Sequence, residues 1–193
     1  MKKPVQETRQ HILDVAKSLM IHKGYTAVGL AEVVAAAGVP KGSFYYYFKS
    51  KEEFGQALLE EYFSSYLATV DAMLTADGSA ADRLRRYFHN WAQTQGSDVP
   101  DNKCLMVKLG SEVCDLSEDM RLVLKTGSEA IIERLARCIE QGQLEGSVQA
   151  ETPAAALAQS LYQLWLGASL LAKVSKDRAP FDTALIHMER LLS

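Results

Sequence analysis

The sequence predicts an all-α protein in two parts, an N-terminal three-helix helix-turn-helix domain over residues 1–50 and a helical body over 51–193. Three observations carry that expectation. Apolar residues recur at helical spacing along most of the chain. Gly, Pro, Ser and Thr fall where helices should stop and start. Charge is divided unevenly: residues 1–51 hold 8 Lys and Arg against 3 Asp and Glu, a balance of +5, and the remainder holds 13 against 21, a balance of −8. A basic head on an acidic body suits a head that meets a polyanion.

The elements follow in order. Ile12, Val15, Ala16, Leu19 and Met20 share one face of a first helix, and Gly24 stops it. LAEVVAAAG is a short second helix ending at Gly38. Val39 and Pro40 turn the chain, and Pro40 suits the first position of a third helix running to about Phe48. Ser50, with Glu53 three residues on, makes a capping box that opens a fourth helix to about Leu74. ADGSAAD reads as a loop, ADRLRRYFHNWAQTQ as a fifth helix and GSDVPDN as a second loop. A helix is expected over about 103–112, and Ser117 caps another to about residue 141. QGQLEGSVQAET reads as loop, after which Thr152 and Pro153 form an N-cap and first-turn pair. They start a helix to about Lys173, and a last helix spans about 181–192.

Composition narrows the function classes. Hydrophobic residues make up 48 %, enough for a folded core. MKKPVQETRQHIL has no apolar run, and Glu7 and Arg9 interrupt any leader-peptide reading. LYQLWLGASLLAKV (161–174) is too short to span a bilayer, so a cytoplasmic protein without membrane partners is expected. Cys104, Cys114 and Cys138 are odd in number and lack CxxC spacing, which argues against a disulfide framework and against a zinc site. His11, His22, His89 and His187 are scattered, with no HExxH, GxSxG or phosphate-binding glycine loop. Neither catalysis nor a cofactor or metal is expected.

The head carries the strongest signal. A helix, a turn at Gly38 and a second short helix make a helix-turn-helix, whose second helix enters the major groove of DNA. Gly42 and Ser43 are small enough for close approach. Phe44 and Phe48 lie four apart, so they share a face and pack inward. Tyr45, Tyr46 and Tyr47 sweep around the rest, where hydroxyls reach phosphates and rings lie on sugars or thymine methyls. Lys41 opens the helix near a base edge, and Lys51 is placed for a phosphate.

The run GVPKGSFYYYFKSKE resembles the signature of TetR-type transcriptional repressors, with Gly38, Gly42, Tyr45, Phe48 and Lys51 in place. The resemblance implies a DNA-binding head, a helical ligand-sensing and dimerisation domain, and a homodimer paired through its last two long helices on double-stranded operator DNA. The chain departs from the pattern at the second helix, where Val28 and Gly29 replace the usual Thr or Ser cap. Gly29 can still cap, and phosphate contacts there would come from backbone N–H groups or from Thr26.

CLMVKLGSEVCDLSEDMR (104–121) and LYQLWLGASLLAKVSK (161–176) resemble a narrower group of that family, the N-ethylmaleimide-responsive repressors. That resemblance implies a reactive electrophile or oxidant as inducer, acting on a cysteine. The residues themselves single out Cys104. Asp101 or Asn102 would cap the helix behind it and put the thiol in the first turn, where free N–H groups favour a thiolate. Lys103 and Lys108 add positive charge, so the thiol is expected to be drawn down toward neutrality. Cys114 lies between Glu112 and Asp115, which oppose ionisation, and Cys138 continues the apolar face of Ile131, Leu135 and Ile139. Lys173 ends a face built from Leu161, Leu164, Trp165, Ala168 and Leu171. It could snorkel to the surface or, as the resemblance implies, take part in oxidant sensing beside Cys104. The alternative is a repressor induced by a reversible, noncovalent ligand, with Trp165, Gly167 and Ala168 in a pocket wall or a dimer contact.

Overall fold

The computed structural model describes residues 5–96 and 103–193, all helix and connecting loop. The helices are α1 (Val5–Lys23), α2 (Leu30–Ala36), α3 (Lys41–Tyr47), α4 (Lys51–Leu74), α5 (Ala80–Gly96), α6 (Leu105–Leu116), α7 (Glu118–Glu145), α8 (Ala154–Ser175) and α9 (Ala179–Leu192). They form two compact units. The first takes α1 to α3, α4 as far as Phe63, α6 and α7 as far as Lys125. The second takes the rest of α4, α5, α7 from Thr126, α8 and α9.

In the first unit the short helices are held by aromatic packing. Ile12, Ala16 and Met20 of α1 and Phe44 of α3 are fully buried, and Phe48 and Phe54 nearly so. The three phenylalanines form one cluster, with ring centroids 4.9–5.2 Å apart. Gly38 turns the chain between α2 and α3 at φ 65°, a left-handed conformation that glycine adopts without a Cβ clash. Ser50 caps α4 by accepting the Glu53 N–H at 3.0 Å. The Glu53 carboxylate reaches back one residue further than a standard capping box and accepts the Lys49 N–H at 2.9 Å.

The second unit is built on stacked aromatics. Trp165 of α8 lies parallel to Phe88 of α5 at 5.0 Å and to Phe181 of α9 at 6.1 Å. The Trp91 indole donates to Ser169 Oγ at 2.9 Å, and that hydroxyl donates to the Trp165 carbonyl. Arg134 of α7 forms a two-pronged pair with Asp71 of α4 at 2.7 and 3.1 Å. Leu170, Leu171 and Val174 of α8 and Ile186 of α9 are left exposed.

Several boundaries differ from the sequence expectation. Pro40 is the N-cap of α3, one residue before the first helical position. Pro153 likewise takes the N-cap of α8, the place expected for Thr152. Helix α7 runs on to Glu145 through the stretch expected as loop from residue 141. Gly142 explains this: a Cβ there would stand 2.5 Å from Val148 Cγ2 and 3.1 Å from Ala80 Cβ. The glycine allows close approach within the helix and makes no turn. Helix α6 spans 105–116, two residues later at its start and four at its end than expected. The loop expected over 97–102, with the capping roles of Asp101 and Asn102, lies outside the described residues.

Candidate nucleic-acid interface and sensor thiol

Helix α3 divides its aromatics sharply. Phe44 is fully buried, whereas Tyr45 and Tyr46 are 52 % and 72 % exposed. Tyr47 is half-buried, edge-on to Tyr46 with centroids 5.0 Å apart. Lys41 and Gly42 are exposed and Ser43 is partly so, and no atom lies within 4 Å of a Cβ built at Gly42. One short helix thus anchors its inner face on phenylalanine and presents a basic, aromatic and sterically open outer face. Exposed tyrosine rings, amphipathic and tipped with a hydroxyl, suit sugar and phosphate contacts. Gly29 is the N-cap of α2, exposed and without a side-chain cap, and its carbonyl accepts the N–H groups of Glu32 and Val33.

Thr26 and Lys51 stand differently from the sequence picture. Both are already engaged within the protein. The carboxylate of Glu112 on α6 accepts the Thr26 N–H at 2.6 Å and the Tyr25 N–H at 3.1 Å, and it also bonds the Thr26 side chain. The Lys51 ammonium donates to the Tyr25 carbonyl at 3.2 Å and lies 4.7 Å over the Tyr25 ring. Partial desolvation raises the Glu112 carboxyl, but the bonds from Thr26 and Tyr25 and the Lys51 charge outweigh it, and the group titrates below its ordinary value. Burial, with Glu52 and Glu112 nearby, pushes the Tyr25 phenol up to about 12.

Cys104 is the N-cap of α6 and is buried. Its thiol is raised, not lowered as expected. Burial disfavours the thiolate by more than the N–H groups of Val107 and Met106 and the Tyr62 hydroxyl recover. The helix terminus supplies its donors as foreseen, but in a site shielded from water. Cys138 is buried with Ile131, Leu135 and Ile139, its thiol is raised by burial, and Sγ points at the Ala80 carbonyl 3.8 Å away. Cys114 is exposed. Lys173 is exposed in the last turn of α8 and belongs to the second unit, whereas Cys104 belongs to the first. The helix face that it ends is also exposed by then, Leu171 included.

Two functional candidates escaped sequence reasoning, Tyr62 on α4 and Glu112 on α6. Tyr62 bonds the Cys104 thiol and lies under the Lys17 ammonium, 6.0 Å from its ring centre. No linear spacing connects these residues. Among the described residues no group of three or more His, Cys, Asp or Glu is placed to hold a metal ion, and no helix is long and apolar enough to cross a membrane.

A buried-aromatic, tyrosine-faced helix-turn-helix followed by a helical body defines a helix-turn-helix regulatory protein of the all-α class. The model of "Bacterial regulatory proteins, tetR family" matches residues 12–58, and that of the "Tetracyclin repressor-like, C-terminal domain" matches 80–188. The chain belongs to the TetR family. It is similar to the HTH-type transcriptional repressor NemR of Escherichia coli K12, with 38 % identity covering 97 % of this chain and 94 % of the relative. It is also similar to the HTH-type transcriptional repressor DhaR of a Mycobacterium species, with 33 % identity over 92 % of this chain and 88 % of that one. The crystal structure of reduced E. coli NemR superposes with a TM-score of 0.92, at 38 % identity and 97 % coverage of both chains.

Proposed function

We propose that this chain is a cytoplasmic DNA-binding transcriptional repressor, and not an enzyme, released from its operator when a reactive electrophile or oxidant modifies Cys104. Residues 1–50 form the DNA-binding domain and 51–193 the sensor and dimerisation domain of a homodimer. The observation that carries the DNA half is α3, with Phe44 buried and the next two residues, Tyr45 and Tyr46, exposed. Two such helices, related by a two-fold axis, enter successive major grooves of a pseudo-palindromic operator. Tyr45, Tyr46, Tyr47, Lys41, Gly42 and Ser43 meet DNA there, Gly29 and Thr26 flank them, and Lys51 supports the edge.

For the sensing half, the support is a cysteine at a helix N-terminus with three hydrogen-bond donors to its sulfur. Those donors stabilise the thiolate once solvent or reagent reaches it. Similarity to a repressor named NemR agrees with this reading. A second reading, a reversible ligand in the second unit, is favoured by the buried Trp165 Nε1–H, which finds no acceptor among the described residues.

Fluorescence anisotropy on the DNA upstream of the gene tests both halves. Wild type and Cys104→Ser are titrated before and after one equivalent of a maleimide. Wild type should let go and the serine variant should hold. Release of both, or of neither, would remove Cys104 from the mechanism.

A further inference from the structure

Helix α6 grips the end of α1 with two oppositely charged side chains one turn apart. The Lys108 ammonium donates to the His22 carbonyl at 3.2 Å, in the last turn of α1. Glu112 takes the next two available donors, the N–H groups of Tyr25 and Thr26. The His22 carbonyl is a helix-end acceptor that α1 cannot satisfy itself, and the two N–H groups belong to the loop that follows it. The chain is shaped to admit the carboxylate. Gly24 turns at φ 91°, and a Cβ there would stand 3.0 Å from Glu112 Oε2. A charged acceptor on two backbone donors is stronger and more directional than a neutral contact.

This grip joins two places of different purpose. Cys104 opens α6, and Glu112 lies eight residues on, about 12 Å along the axis. On the other side of the bonds is the loop that leads into α2, the first helix of the helix-turn-helix. A change at the N-terminus of α6 that slides or rotates the helix must either carry the Tyr25–Thr26 backbone with it or break both bonds.

We infer that Glu112 is a positioning residue, a carboxylate latch through which modification of Cys104 moves the helix-turn-helix. The inference rests on the electrophile-sensing reading above. Glu112 touches neither DNA nor inducer. It sets where the head stands relative to α6 and so converts a chemical event on one helix into a displacement of another. While both bonds hold, the head follows α6 from one arrangement to the other, as a switch requires.

The test uses the full-length protein with Glu112→Ala and Glu112→Gln. Operator affinity is measured before and after one equivalent of N-ethylmaleimide, with intact mass reporting alkylation and thermal melting reporting fold. Amide hydrogen exchange over residues 21–28 reads the latch directly. Wild type should lose roughly tenfold or more in affinity on alkylation, within the ordinary range of allosteric coupling. Glu112→Ala should be alkylated as fast, exchange the Tyr25 and Thr26 amides faster, and lose less than roughly threefold on alkylation, since the coupling is cut. The glutamine variant keeps one acceptor and should fall between. If Glu112→Ala melts normally and is released as fully as wild type, the latch is wrong and the sensor reading survives. If wild type is alkylated at Cys104 and not released, the sensor reading itself fails and the latch falls with it. Loss of DNA binding in both variants before alkylation, with unchanged melting, assigns Glu112 to the standing position of the head alone and overturns the signalling role.

Discussion

Lys51 and Tyr25 hold each other in both directions: the Lys51 ammonium donates to the Tyr25 carbonyl at 3.2 Å, and the Tyr25 hydroxyl donates to the Lys51 carbonyl at 2.7 Å. The Tyr25 ring fills the space beside Gly55, where a Cβ would stand 2.7 Å from Cε2. The start of α4 and the loop after α1 therefore behave as one piece. Tyr25→Phe keeps the ring and removes one bond, which should cost about 1 kcal/mol. In a chain of this length that lowers Tm by roughly 2–4 °C. Gly55→Ala should cost more, because overpacking against the ring and Met120 Sδ displaces both, at about 1–3 kcal/mol. A Gly55→Ala protein that melts like wild type would show that this region yields.

Tyr62→Phe separates the electrostatics of the thiol from its burial. The ring stays, and the hydroxyl that favours the Cys104 thiolate goes. The thiolate fraction near neutral pH falls, so alkylation should slow several-fold while the melting curve moves little. The rate should climb with pH in both proteins, with the phenylalanine curve displaced to higher pH. Identical rate profiles would detach Tyr62 from the thiol.

The Glu112 carboxyl gives the latch a pH dependence with a definite sign. Its folded value is below the ordinary one. Its contribution to stability is therefore complete above the unfolded value of about 4.3 and disappears as pH falls through the lower folded value. Wild type should lose more stability than Glu112→Gln across this acid range, and the two should run parallel above about pH 6, since that is well clear of both values. Parallel curves in acid as well would mean that the carboxylate is not preferentially bound.

On α3, inner and outer substitutions should part company. Phe44→Ala opens a cavity in the aromatic cluster and should cost about 3–5 kcal/mol. Tyr46→Ala should leave melting nearly unchanged and weaken operator binding. Lys41→Ala, which removes the contact to a base edge, should cost about 1–3 kcal/mol of binding and relax sequence preference at that position. Tyr46→Ala binding with wild-type affinity would move the interface off this face.

Gly142→Ala examines the α7 segment that looked like loop. Helix propensity favours alanine, by about 1 kcal/mol. The contact with Val148 opposes it, at about 1–3 kcal/mol. Net destabilisation is expected in chemical denaturation, because Val148 is buried and Ala80 closes the other side. A more stable alanine variant would mean that propensity had won.

Local pattern carried the head well. Phe44 and Phe48 could be sent inward from their spacing alone, and Ser50 and Gly38 occupy the cap and turn that residue chemistry assigned them. Cys138 was legible for the same reason, since it continues an apolar helix face. What could not be read was whatever depends on helices distant in sequence. The bond from Thr26 to Glu112 spans 86 residues, and the Tyr62–Cys104 contact joins α4 to α6. The thiol is raised where local pattern predicts a lowering, because the helix terminus is a local feature and its burial is not. Gly142 misled in the same way, since a glycine kept for a neighbour looks like one kept for a turn.

With Cys104 as the proposed sensor, its burial also sets a clock. A thiol this buried is attacked chiefly while the first turn of α6 is open. At low reagent the rate should rise in proportion to concentration. At high reagent it should level off at the opening rate of the helix, so that every sufficiently abundant electrophile is answered at the same speed. Such a sensor ignores brief exposure and responds to sustained exposure, and its delay is a property of the fold and not of the poison.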